Sequence, residues 1–116
     1  MGKKEKETSS SFRLSISLSA LTDFDGITDF IAYVNEQPMN AIKVGDAIFK
    51  AIDKIRENPF VYQECEAIPT KTKIYRQAVC LLWLIIYKIM KNEIRVPGII
   101  HGARRPAVIK KLRKIK

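Results

Sequence analysis

The chain has 116 residues, which suits one domain and not two. Hydrophobic residues make up 47% of it, so a core can form, though with little apolar material to spare. The formal charge of +9 favours a polyanionic or acidic partner without choosing among nucleic acid, acidic peptide and anionic membrane, while two cysteines and one histidine exclude a zinc site of four Cys and His ligands.

Residues 1–11 are charged and then serine-rich, the composition of a flexible arm outside the single domain expected over 12–116. Over 12–19, Phe12, Leu14, Ile16 and Leu18 alternate with Arg13, Ser15, Ser17 and Ser19, which predicts a half-buried strand. Phe24, Ile27, Ile31 and Val34 then follow helical spacing, with Thr22 or Ser19 as the cap and Gly26 inside the helix. A break at 35–38 separates this helix from a second, over 39–57. Its apolar stripe is Ala41, Val44, Ile48, Ile52 and Ile55, and Pro59 stops it. So short a link makes the two helices an antiparallel hairpin.

Residues 60–73 read as a loop with an acidic spot at Glu64 and Glu66. Three strands follow, over 73–79, 81–90 and 93–100. The second is apolar on both faces, which places it centrally, and Lys91-Asn92 makes the tight turn after it. Pro97 removes a ladder donor from the last strand and implies a bulge or an edge position. Pro106 suits the first turn of a short C-terminal helix, with Val108, Leu112 and Ile115 on one face. The order β-α-α-β-β-β gives an α+β fold, an antiparallel sheet of about four strands packed against an N-terminal helical hairpin.

No apolar core of a secretory signal is present in 1–11. The strongest apolar run, 79–87, has nine residues, about half of what a helix needs to cross a bilayer. Cys65 and Cys80 are expected to be reduced. The expectation is a cytoplasmic protein without a membrane partner. Nothing resembles a P-loop, a Rossmann glycine motif, HExxH, a Ser/His/Asp set or an RNA-recognition aromatic pattern, so neither a cofactor nor a metal is expected.

His101 has an unperturbed pKa near neutrality and is a candidate acid or base; the alternative is a strand-end histidine bonded to a neighbouring loop. Arg104 and Arg105 match phosphate or carboxylate, or form a solvated basic turn. Arg76 emerges from the sheet to bind a partner, or pairs with Glu64 or Glu66. Trp83, Ile85 and Tyr87 share one strand face and read as core. From Arg104 onward there are seven Lys or Arg and no acid, including Lys110 and Lys111, which suits salt-dependent phosphate contacts or a soluble tail.

Three stretches resemble the RelE/ParE toxin superfamily of plasmid-stabilisation toxins: Ile74-Tyr75-Arg76 with Trp83-Leu84-Ile85-Ile86-Tyr87, Gly98-Ile99-Ile100-His101-Gly102-Ala103-Arg104-Arg105-Pro106, and the helix end Ile52-Asp53-Lys54-Ile55-Arg56-Glu57-Asn58-Pro59. The resemblance covers about 12–106. It implies the toxin component of a type II toxin–antitoxin system, neutralised by an antitoxin whose C-terminal segment wraps it. RelE-like members cut mRNA on the ribosome with basic residues and a C-terminal Tyr or His; ParE-like members poison DNA gyrase. Here Leu84, not Arg, follows Trp83, and no Tyr follows Arg105. The chain therefore looks more like the ParE side, and less like an enzyme. The resemblance marks Arg76, His101, Arg104 and Arg105 as target- or antitoxin-binding, and the basic tail adds Lys110 and Lys111 to that set. Only if the chain is an mRNA endonuclease would His101, Arg104 and Arg76 be catalytic. A non-toxic basic binding module on the same fold is the remaining alternative.

Overall fold

Alternation at the start of the domain produces a short strand, β1 (Arg13–Ile16), with Leu14 and Ile16 half-buried and Arg13 and Ser15 exposed. The coordinates are a computed structural model that describes residues 12–102 and 106–115, so the arm expected at 1–11 and the pair Arg104 and Arg105 lie outside the described residues. β1 ends before the alternation does because Ser17 turns the chain. Its Oγ accepts the Ala20 N–H at 2.9 Å and its hydroxyl donates to the Pro97 carbonyl at 3.1 Å. Ser17 therefore caps the first helix, α1 (Leu18–Asp29), and the expected caps Ser19 and Thr22 lie inside it.

A π-helical turn, Phe30–Val34, prolongs α1, and Glu36 at φ 56° makes the reversal. Pro38 then opens α2 (Pro38–Glu57) at the position where a missing N–H costs least. The predicted stripe is buried: Ala41, Val44, Ile48, Ile52 and Ile55, joined by Gly45. A Cβ at Gly45 would lie 3.2 Å from the Phe24 ring, so this glycine sets how closely the two helices approach.

The remaining strands are β2 (Tyr75–Cys80), β3 (Trp83–Ile89) and β4 (Glu93–His101), and the sheet order is β1-β4-β3-β2. β2, β3 and β4 are antiparallel neighbours, but β1 pairs parallel to β4, from Arg13↔Glu93 to Ile16↔Val96. The sheet is thus mixed and not wholly antiparallel. α1 runs on beyond the sheet end in the direction of β1, and α2 brings the chain back. The Phe12 N–H meets the Arg56 carbonyl at 3.5 Å, so β2 sets out from the end where β1 began. Any strand leaving that end, β4 included, runs parallel to β1.

Leu81 and Leu82, expected inside a strand, instead form a two-residue hairpin, with Leu81 at φ 57°. Pro97 sits at a bulge: Ile86 faces Gly98 while Lys88 faces Arg95, so β4 carries one extra residue there. Beyond the bulge β1 has ended, and the freed Ile99 N–H is taken by Asp23 Oδ2 at 3.0 Å.

Both sheet faces are covered. α1 and α2 cover one, over Ile85, Tyr87, Ile94 and Val96. The loop at 62–74 and the C-terminal segment, α3 (Pro106–Lys110) with the following 3-10 turn Lys111–Lys114, cover the other. There Cys65, Ile68, Tyr75, Ile86, Ile109 and Leu112 are buried together. This second layer is why β3 is apolar on both sides. Each of these aliphatic side chains contributes about 1.5–3 kcal/mol on full burial.

Candidate functional site

An open groove of about 860 Å³ lies at the sheet end where β3 begins and β4 finishes, between α1 with its π turn and the C-terminal segment. Its floor is apolar: Ile27, Trp83 and Ile99. At its mouth Phe30 is 54% exposed and Leu82 63% exposed. Isolated exposed hydrophobics are ordinary, but a run of them rimming a concave surface marks a place for a partner. Leu81, also exposed, stands beside Leu82 in a backbone conformation that L side chains adopt only at a cost of about 1–2 kcal/mol. An exposed leucine pair at a hairpin tip, its first member in a strained backbone conformation, makes no sense for solubility and good sense for contact.

Among the described residues, Ser19, Thr22, Asn35 and Asn40 line the groove besides the titratable Asp23, His101 and Lys111. Asp23 stands in its wall with one oxygen on the Ile99 amide. His101 is exposed, and its ring meets Trp83 edge to face at 6.3 Å. Lys111 lines the C-terminal side. Of the six residues singled out in the sequence, His101 and Lys111 are brought to this one groove. Lys110 is exposed on α3 and does not line it; Arg104 and Arg105 lie outside the described residues. Sequence reading missed Asp23, Phe30 and the Leu81-Leu82 tip. Only the dipeptide carried a signal, as two leucines with no obvious strand partner.

Arg76 is elsewhere. In the strand pairing it faces Tyr87, whereas His101 faces Trp83, so two strand spacings and four residues of rise separate them, roughly 16 Å. The expected set of His101 with Arg76 is therefore not assembled at one point. The Arg76 backbone bridges that of Glu64, but its guanidinium makes no ion pair with Glu64 or Glu66. Its Nε donates to the Lys73 carbonyl at 2.9 Å, and its Nη1 donates to the carbonyls of Phe60 at 3.0 Å and Tyr62 at 2.7 Å. The guanidinium also lies 5.7 Å from the Phe60 ring centre. Directly across the strand pair, the buried Tyr87 hydroxyl donates to the Pro59 carbonyl at 2.6 Å. Burial holds that phenol well above its ordinary range, so it remains a donor. Arg76 and Tyr87 together pin the turn after α2 to the sheet.

These features meet the comparisons at the level of the family. Residues 14–106 match the family described as the ParE toxin of type II toxin–antitoxin systems, parDE. The chain belongs to the ParE toxin family. Its fold is similar to that of a chain from the chromosomal ParDE system of P. aeruginosa, with a TM-score of 0.61 and 16% identity, over 78% of this chain and 96% of that one. No curated protein sequence matches it. It is therefore a toxin of the type II class, and an antitoxin is the partner its family implies. No helix among the described residues is long and apolar enough to cross a membrane.

Proposed function

We propose that this ParE-family toxin arrests growth by acting on DNA gyrase, and that its antitoxin silences it by laying an apolar segment in the groove beside α1. The observation that carries the docking reading is the groove itself, an apolar floor rimmed by exposed Phe30 and Leu82. Burying such a side chain contributes up to about 1.5–3 kcal/mol, so these residues would act as anchors within a larger interface.

The gyrase reading is supported by the family match and by Leu84. Where RNase relatives carry an arginine, this leucine packs on the second buried cluster and offers no charge to a phosphate. No tyrosine follows Arg105 to aid attack by a ribose hydroxyl.

The test has two arms. Induction of the toxin should stop growth, and co-expression of the short neighbouring reading frame should restore it. In calorimetric titration the purified partner should bind wild-type toxin, and Phe30→Asp should weaken binding by about tenfold or more, the equivalent of about 1.4 kcal/mol. Unchanged affinity for Phe30→Asp would move the antitoxin off this groove. Absence of growth arrest at every expression level would favour a non-toxic binding module.

A further inference from the structure

The excess charge is not spread evenly. From Leu18 to Glu57 the helical hairpin carries seven acids and four bases, whereas from Asn58 onward there are three acids and thirteen bases. A polyanion is therefore favoured by the part of the chain from Asn58 onward and disfavoured by the helical hairpin. At the sheet end away from the groove lies a second pocket of about 550 Å³. Lys88 and Arg95 enter it from β3 and β4, where they face each other directly. Arg113 and Lys114 enter it from the last turn of the chain.

Two cations set opposite one another in a strand pair repel, which a sheet under no other demand avoids. Two more cations converge from the facing wall. No carboxylate lines the pocket among the described residues. Glu93, two residues before Arg95 on β4, is engaged by Arg95 Nε at 3.4 Å and by the Ser15 hydroxyl at 3.1 Å. Lys88 is aimed by the Tyr75 ring, whose centre lies 5.6 Å from its Nζ. Four donors of one sign, converging from two walls on an open cavity, fit a ligand with several anionic oxygens spread over neighbouring groups. A single carboxylate carries one negative charge and would leave most of these cations uncompensated.

We propose that this pocket seats backbone phosphates of a nucleic acid. It lies at the other sheet end from the groove, and although the C-terminal segment borders both, the two share no lining residue, so the proposal does not rest on the gyrase reading.

The test is fluorescence anisotropy of the full chain with labelled duplex DNA, single-stranded DNA and single-stranded RNA of equal length, across a salt series. Wild-type affinity should fall linearly with salt on logarithmic axes. The pair K88Q/R95Q should weaken binding by about tenfold or more at fixed salt and reduce the salt slope by about 2, and R113Q/K114Q should do the same. Glu93→Gln should tighten binding. The control K43Q/K50Q removes equal charge from the exposed side of α2 and should change affinity by less than about twofold. The probe held best names the source of the phosphate. Circular dichroism and urea midpoints should match wild type in all variants, since the substituted side chains are half-exposed or exposed. Equal losses in site and control variants would mean diffuse attraction and overturn the proposal. So would failure of all three probes to bind at low salt, or displacement by polyglutamate where tripolyphosphate has no effect.

Discussion

Arg76 offers the sharpest separation between a residue that holds the fold and one that meets a partner. Arg76→Ala removes three donors. Two of its bonds, to Lys73 and Phe60, are exposed; the bond to Tyr62, at 2.7 Å, is partly buried. Charge-assisted bonds of this kind contribute about 1.5–3 kcal/mol when shielded, and solvent reduces the two exposed ones to a fraction of that. The sum is about 2 kcal/mol. For 116 residues the unfolding entropy is about 0.24 kcal/mol per degree, so the melting temperature should fall by about 8 °C. Arg76→Lys keeps the charge but cannot span carbonyls on both sides, and should recover about half of the loss. Tyr87→Phe leaves the Pro59 carbonyl without its donor and should cost about 1–2 kcal/mol. Because both side chains hold one turn, the double variant should be non-additive by at least about 0.5 kcal/mol. Urea unfolding of the four proteins measures all of this. An Arg76→Ala protein as stable as wild type but unable to arrest growth would refute the clamp and make Arg76 a contact residue.

Other consequences are as direct. Leu81→Gly relieves a left-handed leucine at the expense of a freer unfolded chain, so stability should stay within about 0.5 kcal/mol of wild type while antitoxin affinity falls; a destabilisation above about 1.5 kcal/mol would show that the tip is structural. Burial raises the pKa of the Cys65 and Cys80 thiols and of the Tyr87 phenol. Groups raised in the folded state lend stability that is whole below their unfolded pKa and is lost above it, so the unfolding free energy should decline once pH passes about 8.5; a flat profile there by chemical denaturation would contradict that burial. Native thiols should also react slowly with a disulfide reagent, and fast labelling of both would place them at the surface. Gly98→Ala would set a methyl 2.9 Å from Leu112, and should loosen the C-terminal turn by about 1–3 kcal/mol, visible as faster amide exchange in Ile109 and Leu112.

Much of the architecture was legible because it rests on periodicity. The α2 stripe and the two-sided apolar character of β3 each dictate one local answer, and the structure gives it; the alternation at 12–19 gives a strand that is four residues long, and of the bulge or edge implied by Pro97 the structure takes the bulge. What could not be read depends on partners distant in sequence. A four-residue strand does not encode its direction, so the parallel pairing of β1 follows only from where α2 returns the chain. The Leu81-Leu82 turn has neither glycine nor asparagine to announce it. Arg76 is satisfied by backbone carbonyls, which leave no trace in the pattern of charges. His101 was legible as a candidate by its chemistry. Its neighbour Asp23 was not, since only the ending of β1 frees the Ile99 amide that Asp23 accepts.

The central claim is that this ParE-family fold stops growth through gyrase and not through mRNA. Purified toxin titrated into a gyrase supercoiling reaction tests it most directly. Dose-dependent loss of supercoiling, reversed by the antitoxin, is the expected result. Undisturbed supercoiling at concentrations that saturate the antitoxin, together with new mRNA ends in primer extension after induction, would contradict it.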